Sequence, residues 1–172
     1  MANDLTVSDL ARFIAPLVSH PREPTEEDVE FAIRRIRNWT VAGALKPIGD
    51  PHSGSGKHRR YDESSVYIAA TLSVLADTDQ SIGTLLTVAS LIRNLFGDMP
   101  LLAGTIIERW NEAVNGTAEV FLVLSSVVGR GDARQRATAQ ILVPLNGLTE
   151  ALQECRSAVS VNLTAIFAQL DL

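Results

Sequence analysis

The chain has 172 residues, of which 46% are hydrophobic and 20% charged, a balance typical of a globular protein with its own core. Its net charge is −5, so the overall charge does not indicate nucleic-acid binding. One cysteine, Cys155, excludes an intramolecular disulfide and a cysteine-based zinc site, and no apolar stretch approaches the roughly 20 residues that span a bilayer. We therefore expect a reducing, cytoplasmic location and no membrane partner.

The first two predicted helices are separated by a break that contains two prolines. Apolar residues at helical spacing predict a helix over 6–18, and Thr6 with Asp9 forms a loose capping box at its start. Thr25 is followed by three acidic residues, which the helix dipole favours in a first turn. The pattern predicts a second helix that begins at Thr25 and ends near Gly43.

Residues 46–61 differ from their surroundings, because they contain two prolines, three glycines and a dense basic end. This composition favours a β-hairpin or extended loop whose return strand is 58–61. Asp62 can cap a third helix over 63–76. A very apolar fourth helix over 81–96 follows, and we expect it to be buried or to lie in a dimer interface.

From residue 98 onward the pattern is mixed. Two β-rich segments flank a polar turn, which is typical of a hairpin, and helical segments lie on both sides of it. The predicted elements are a helix over 100–115, strands over 120–128 and 138–143, a short helix over 147–156, and a strand or alternatively a helix over 159–166. The fold class predicted for the whole chain is α+β, mainly α.

Basic residues are concentrated in one segment of this acidic chain. Residues 31–62 carry seven basic and two acidic side chains, whereas residues 63–172 carry six arginines and eleven acidic side chains. Binding to phosphates requires such a local excess, because each neutralised phosphate releases condensed counterions. The alternative is a solvated surface on which Glu30 and Arg34 merely form a pair along the helix.

The same segment resembles the MerR-type winged helix family. The order Arg37-Asn38-Trp39, then Gly43-Ala44-Leu45, then Lys46-Pro47 is similar to the end of that family's recognition helix. His58-Arg59-Arg60-Tyr61 is similar to its wing and return strand, and Thr6 to Phe13 to its opening helix. The resemblance covers residues 5–90. About ten extra residues lie between the first two helices, and the family's long dimerisation helix with metal-binding cysteines is absent from the sequence.

The resemblance implies a winged helix-turn-helix that binds double-stranded DNA. Basic and polar side chains lie off the apolar stripe of the second helix, where arginine can contact guanine or phosphate and asparagine can read adenine. We assign Trp39 and Tyr61 to core packing under the wing. The residues expected to contact DNA are Arg34, Arg35, Arg37, Asn38, Lys46, Lys57, His58, Arg59 and Arg60.

Three segments follow from this interpretation. We expect a winged helix-turn-helix DNA-binding domain over 1–78, a linker or dimerisation helix over 79–97, and a small α+β region for oligomerisation or ligand sensing over 98–172. Small winged-helix domains usually gain affinity by two-fold symmetry, so a homodimer on a palindromic site is expected. A small-molecule effector is compatible with the last segment, although no convergent set of polar residues identifies one.

The sequence favours a nucleoid-associated transcription regulator over an enzyme. Cys155 has no histidine after it, and no histidine pair has the spacing of zinc ligands, so we expect no catalytic site, cofactor or metal. Gly54-Ser55-Gly56-Lys57 lacks the first glycine and the buried strand of a phosphate loop. Two alternatives stay open: a phage-type or architectural DNA-binding accessory protein, excisionase-like or terminase-small-subunit-like, and an adaptor whose basic wing docks an acidic partner.

Overall fold

The computed structural model describes residues 4–19, 23–49, 59–96, 104–128, 136–153 and 158–170. They are mainly helical with a small antiparallel sheet, which confirms the predicted α+β class with mainly α content. The chain divides into two compact units, one formed by residues 1–97 with 169–172 and the other by residues 98–168. Within the described residues, no helix is long and apolar enough to cross a bilayer.

The described residues of the first unit form four helices. They are α1 (Val7–Ser19), α2 (Glu26–Val41), α3 (Ser64–Ala76) and α4 (Ile82–Phe96). Helix α1 packs against both α2 and α3, and α3 also packs against α4. Eleven of the 13 residues of α3 are buried, so α3 is the central helix of the unit. The helix expected as a linker over 79–97 is α4, which packs against α3 in this unit.

Side-chain caps fix where the helices of this unit begin. Thr6 and Asp9 form the expected capping box, since Asp9 Oδ2 accepts from the Thr6 amide at 2.8 Å and the Asp9 amide donates to Thr6 Oγ1. Thr25 and Asp28 form a second capping box at α2. Asp62 accepts from the amide of Ser65 at 3.0 Å, which confirms its predicted role at α3.

Helix α2 ends in a turn at Gly43, as the sequence predicts. Gly43 has a φ of +84°, a left-handed conformation that favours glycine. The amides of Ala44 and Leu45 donate back to the carbonyl of Trp39 at 2.8 and 3.2 Å, which closes the end of the helix. These hydrogen bonds therefore fix the direction in which the chain leaves α2.

The second unit combines three helices with a three-stranded antiparallel sheet in the order β2-β1-β3. Its elements are α5 (Gly104–Asn115), β1 (Val120–Val128), β2 (Arg136–Pro144), α6 (Leu145–Gln153), β3 (Ala158–Asn162) and α7 (Leu163–Phe167). The predicted hairpin is confirmed, with Leu122 of β1 opposite Leu142 of β2. The ambiguous segment 159–166 divides into the end of β3 and the start of α7.

The core of this unit covers the apolar central strand. Leu122 also lies opposite Val161 of β3, and all three of these side chains are buried. Helices α5, α6 and α7 each contact β1. The rings of Trp110 and Phe167 meet edge-on at 5.2 Å between centroids. The strand that the sequence shows as apolar on both faces is thus covered by helices of its own unit.

Candidate nucleic-acid interface

Helix α2 has one buried and one exposed side. Asp28, Ala32, Ile36 and Trp39 are buried and follow one another at helical spacing. The burial of Trp39 and of Tyr61, which are 4% and 0% exposed, confirms that both belong to the core. The exposed side of α2 is therefore the surface that is available to a partner.

The exposed side of α2 changes charge along its length. Glu26, Glu27 and Glu30 are exposed in the N-terminal half, whereas Arg34 and Arg37 are exposed in the C-terminal half. The exposed amide side chain of Asn38 lies next to the two arginines, and Lys46 is exposed just beyond the end of the helix. The positive part of the helix is therefore its C-terminal half.

Within the described part of the chain, Arg34, Arg37 and Lys46 form no ion pair with a carboxylate. The pair between Glu30 and Arg34 that the sequence left open is not among the ion pairs of these residues. Arg34 lies 5.9 Å from the centroid of the Phe31 ring. Because no carboxylate among the described residues pairs with them, an external anion would meet no such competitor at these cations.

Arg35 is placed differently from the other arginines of α2. Its guanidinium lies 2.5 Å from Asp77 Oδ1 and donates to the carbonyl and hydroxyl oxygens of Ser73, each at 3.2 Å. It also lies 4.5 Å from the Phe31 ring centroid, and its side chain is 17% exposed. Arg35 joins α2 to the C-terminal end of α3, so its charge is used within the unit.

The return strand of the predicted wing is held by backbone and side-chain hydrogen bonds. The amides of Leu5 and Tyr61 donate to each other's carbonyls at 2.9 and 2.8 Å, and the Ile48 amide donates to the Arg60 carbonyl at 2.7 Å. Arg59 is half-buried, and exposed Arg60 donates to the Asp4 carbonyl at 3.3 Å. Lys57 and His58 lie outside the described residues, as do Gly54-Ser55-Gly56 and Cys155.

Two residues of this region were not identified by sequence reasoning. Arg93 of α4 donates to the carbonyl of Ala44 at 2.6 Å, in the turn that ends α2. Burial lowers the pKa of Arg93, and the nearby charge of Asp62 opposes that effect. Val41, the last residue of α2, is 81% exposed. Helical spacing could have identified Val41, since it lies two turns after Arg34 on the same side of α2. No sequence pattern links Arg93 to Ala44, which is 49 residues away.

The described residues offer little for a metal or a small ligand. Among them, no group of three or more His, Cys, Asp or Glu side chains could hold a metal ion. The second unit has an open, largely apolar cavity of about 500 Å³. It is lined by Arg109, Ala118, Glu119, Pro144, Leu145 and Asn146. The guanidinium of Arg109 is already paired with Glu112, so the cavity presents no free cation to an anionic ligand.

No protein-family model matches the chain, and no curated protein sequence matches it at a significant level.

Proposed function

We propose that the first unit is a winged helix-turn-helix domain that binds double-stranded DNA, and that the protein is a transcription regulator acting as a homodimer. In this proposal α1 and α2 are the helix-turn-helix, α2 is the recognition helix, and residues 45–61 are the wing. The observation that carries it is the group of exposed cations Arg34, Arg37 and Lys46, which form no ion pair among the described residues of a chain with a net charge of −5. A duplex supplies the row of phosphates that such cations require.

The packing of α2 supports the role of a recognition helix. A helix that enters the major groove must bury one side in its own domain and present polar side chains on the other. Helix α2 does this, with Trp39 buried and Arg37 and Asn38 exposed. Arginine can contact guanine or phosphate through its planar guanidinium, and asparagine can form two hydrogen bonds to adenine.

The hydrogen bonds of Tyr61 support the assignment of the wing. Tyr61 is completely buried and bonded to both Leu5 and Thr40, so the return strand is fixed against α2. Arg59 and Arg60, which immediately precede it, are consequently held close to the same helix. Phosphate contacts from side chains next to such a fixed tyrosine cost less conformational entropy on binding.

Dimerisation is proposed because one module of this size buries limited surface on DNA. Two copies related by a two-fold axis double the contacts on a palindromic site. The second unit and α4 are the proposed source of the dimer contacts, with a small-molecule effector as a further possibility there.

The decisive experiment is a binding titration of the full-length protein with duplex DNA at several salt concentrations. We expect affinity to fall steeply with salt, with a slope of about −0.9 per neutralised phosphate. Arg34→Ala and Arg37→Ala should each weaken binding and reduce that slope by about 1 if the side chain contacts a phosphate. Arg12→Ala is the matched control, because Arg12 is an arginine of α1 with a 75% exposed side chain in the same unit.

The outcomes separate the candidate functions. Binding that is independent of salt, or equally weakened by Arg12→Ala, would contradict the proposed interface. A footprint over one short palindrome supports a regulator, whereas protection of long or repeated sites supports the accessory-protein alternative. Sedimentation of the complex gives the number of protomers per duplex and tests the homodimer.

A further inference from the structure

Val41 is an apolar side chain in the middle of a polar surface. It is 81% exposed, well above the other large apolar side chains that the structure describes, such as Ile82 at 52% and Ile48 at 48%. A single exposed valine needs no explanation by itself. Its position on α2 is what gives it meaning.

The position of Val41 is shared with the candidate base-reading side chains. Val41 lies seven residues after Arg34, which places the two within about 20° of each other around the helix. It follows Asn38 by three residues and Arg37 by four, so it is the surface neighbour of both. An apolar group thus lies where the unpaired cations would meet DNA.

The charge distribution of α2 places this cluster within the DNA contact. Glu26, Glu27 and Glu30 are exposed in the N-terminal half, where they would be repelled by phosphates. The cations begin at Arg34 and continue past the end of the helix to Lys46. Val41 lies beside Arg37 and further along the helical stripe of Arg34, so a duplex attracted to these two arginines covers it.

On these grounds we propose that Val41 contacts the C5-methyl group of a thymine and makes the protein select a thymine at one position of each half-site. This proposal rests on the proposed DNA-binding function. The edges of the bases in the major groove present hydrogen-bonding groups and one apolar group, the thymine methyl, which apolar side chains contact in direct readout. A branched side chain beside Asn38 fits an A·T pair, because asparagine reads adenine.

The test compares thymine with deoxyuridine, which lacks only that methyl group. Duplexes are first enriched from a random-sequence library by the full-length protein and then synthesised with deoxyuridine at each thymine in turn. For the unsubstituted protein, we expect a loss of affinity of about fourfold at one thymine per half-site, the equivalent of roughly 0.8 kcal/mol for a buried methyl-sized group. Val41→Ala should bind the thymine duplex about fourfold more weakly and should no longer distinguish deoxyuridine.

Val29→Ala is the matched control, since Val29 is a half-buried valine of the same helix and lies in its acidic N-terminal half, outside the proposed contact. It should retain the full discrimination between thymine and deoxyuridine. The inference is overturned, with DNA binding intact, if the unsubstituted protein distinguishes deoxyuridine at no thymine or if Val41→Ala distinguishes it equally well. If no duplex is enriched and no salt-dependent binding is measured, the proposed function fails and this inference fails with it.

Discussion

Tyr61 donates a hydrogen bond to Thr40 Oγ1 across 2.8 Å, and this bond joins the segment that precedes α3 to helix α2. The direction of the bond follows from Thr40, whose single hydroxyl hydrogen is donated to the Ile36 carbonyl at 2.7 Å. The hydroxyl of Thr40 thus accepts from Tyr61, 21 residues away, while it donates within its own helix. The link fixes Tyr61, the residue that follows Arg59 and Arg60, relative to α2.

Tyr61→Phe should lower the free energy of unfolding by about 1 kcal/mol, because it removes this hydrogen bond and keeps the buried ring. Tyr61→Ala should lower it by roughly 3–5 kcal/mol, as large core truncations do. Denaturant unfolding followed by circular dichroism measures both. Thr40→Ser is the control that retains the acceptor, and it should lose much less stability than Thr40→Val. Equal stability of Tyr61→Phe and the unsubstituted protein would contradict the role of the bond.

Arg35→Ala should destabilise the first unit while leaving DNA affinity nearly unchanged. Its guanidinium donates to the carbonyl and hydroxyl oxygens of Ser73 and pairs with Asp77. Arg35→Ala therefore leaves the two partly buried oxygens of Ser73 without this donor and Asp77 without its cation. We expect a loss of roughly 1–2 kcal/mol for Arg35→Ala and about 0.5–1 kcal/mol for Asp77→Ala, whose carboxylate is half exposed. Asp77→Ala should lower the free energy of unfolding less in the Arg35→Ala background than in the unsubstituted protein, because the ion pair is already lost there.

The comparison that separates structure from binding is Arg35→Ala against Arg34→Ala. Both remove one positive charge from adjacent positions of α2, but only Arg34 is exposed and unpaired among the described residues. Titrations with DNA are made at a temperature where both variants are folded. A larger loss of affinity for Arg35→Ala than for Arg34→Ala would show that the ion pair with Asp77 opens on DNA.

Local sequence signals predict most of the fold of the first unit. Capping residues such as Thr6 and Thr25, and the glycine at position 43, act within a few residues of their position, so the sequence alone shows where helices begin and end. The assignment of Trp39 to the core, made with the resemblance to the winged helix family, is confirmed by its burial. In the second unit the same signals locate the hairpin, but the bounds of β2 and of the last strand depend on pairing with β1.

Long-range contacts explain what the sequence could not predict. Arg34 and Arg35 are identical in type and adjacent, yet one is exposed and the other is bonded to residues 38 and 42 positions away. What distinguishes them is that Arg35 reaches Ser73 and Asp77 at the C-terminal end of α3. Arg93 is a similar case, since its carbonyl partner at Ala44 is brought close only by the docking of α4 on α3.

The stability contributed by Asp9 should depend on pH at acid values. Its hydrogen bonds with Thr6, at 2.8 and 2.7 Å, hold the pKa of Asp9 below its ordinary value of 3.8. A carboxyl whose pKa is lower in the folded state stabilises the fold above the unfolded value, and this contribution is lost as pH falls through the folded value. Asp9→Asn should therefore be less stable than the unsubstituted protein at neutral pH, and the difference should shrink below about pH 4.

Thr6→Ala provides the check on this interpretation, because it removes the hydrogen bonds between the Thr6 hydroxyl and Asp9 and keeps the one that the backbone amide of residue 6 donates. Its deficit in unfolding free energy should shrink over the same acid range. Thermal melts at a series of pH values from neutral to strongly acid measure both variants. A difference between Asp9→Asn and the unsubstituted protein that stays constant over the whole range would show that the charge of Asp9 is not involved.

Glu27→Gln and Glu30→Gln should each strengthen DNA binding by about twofold at low salt, because each removes a negative charge that lies on α2 but outside the proposed contact. The gain should disappear at high salt, where exposed charges are screened. Glu108→Gln, which changes an exposed glutamate of α5 in the second unit, removes the same charge and should change affinity far less.

The size of the gain in affinity tests which half of α2 meets the duplex. A gain above about tenfold would place these carboxylates directly against phosphates, and weaker binding would mean that they accept hydrogen bonds from cytosine. Either result would move the contact toward the N-terminal half of α2, and the role assigned to Val41 would then be wrong.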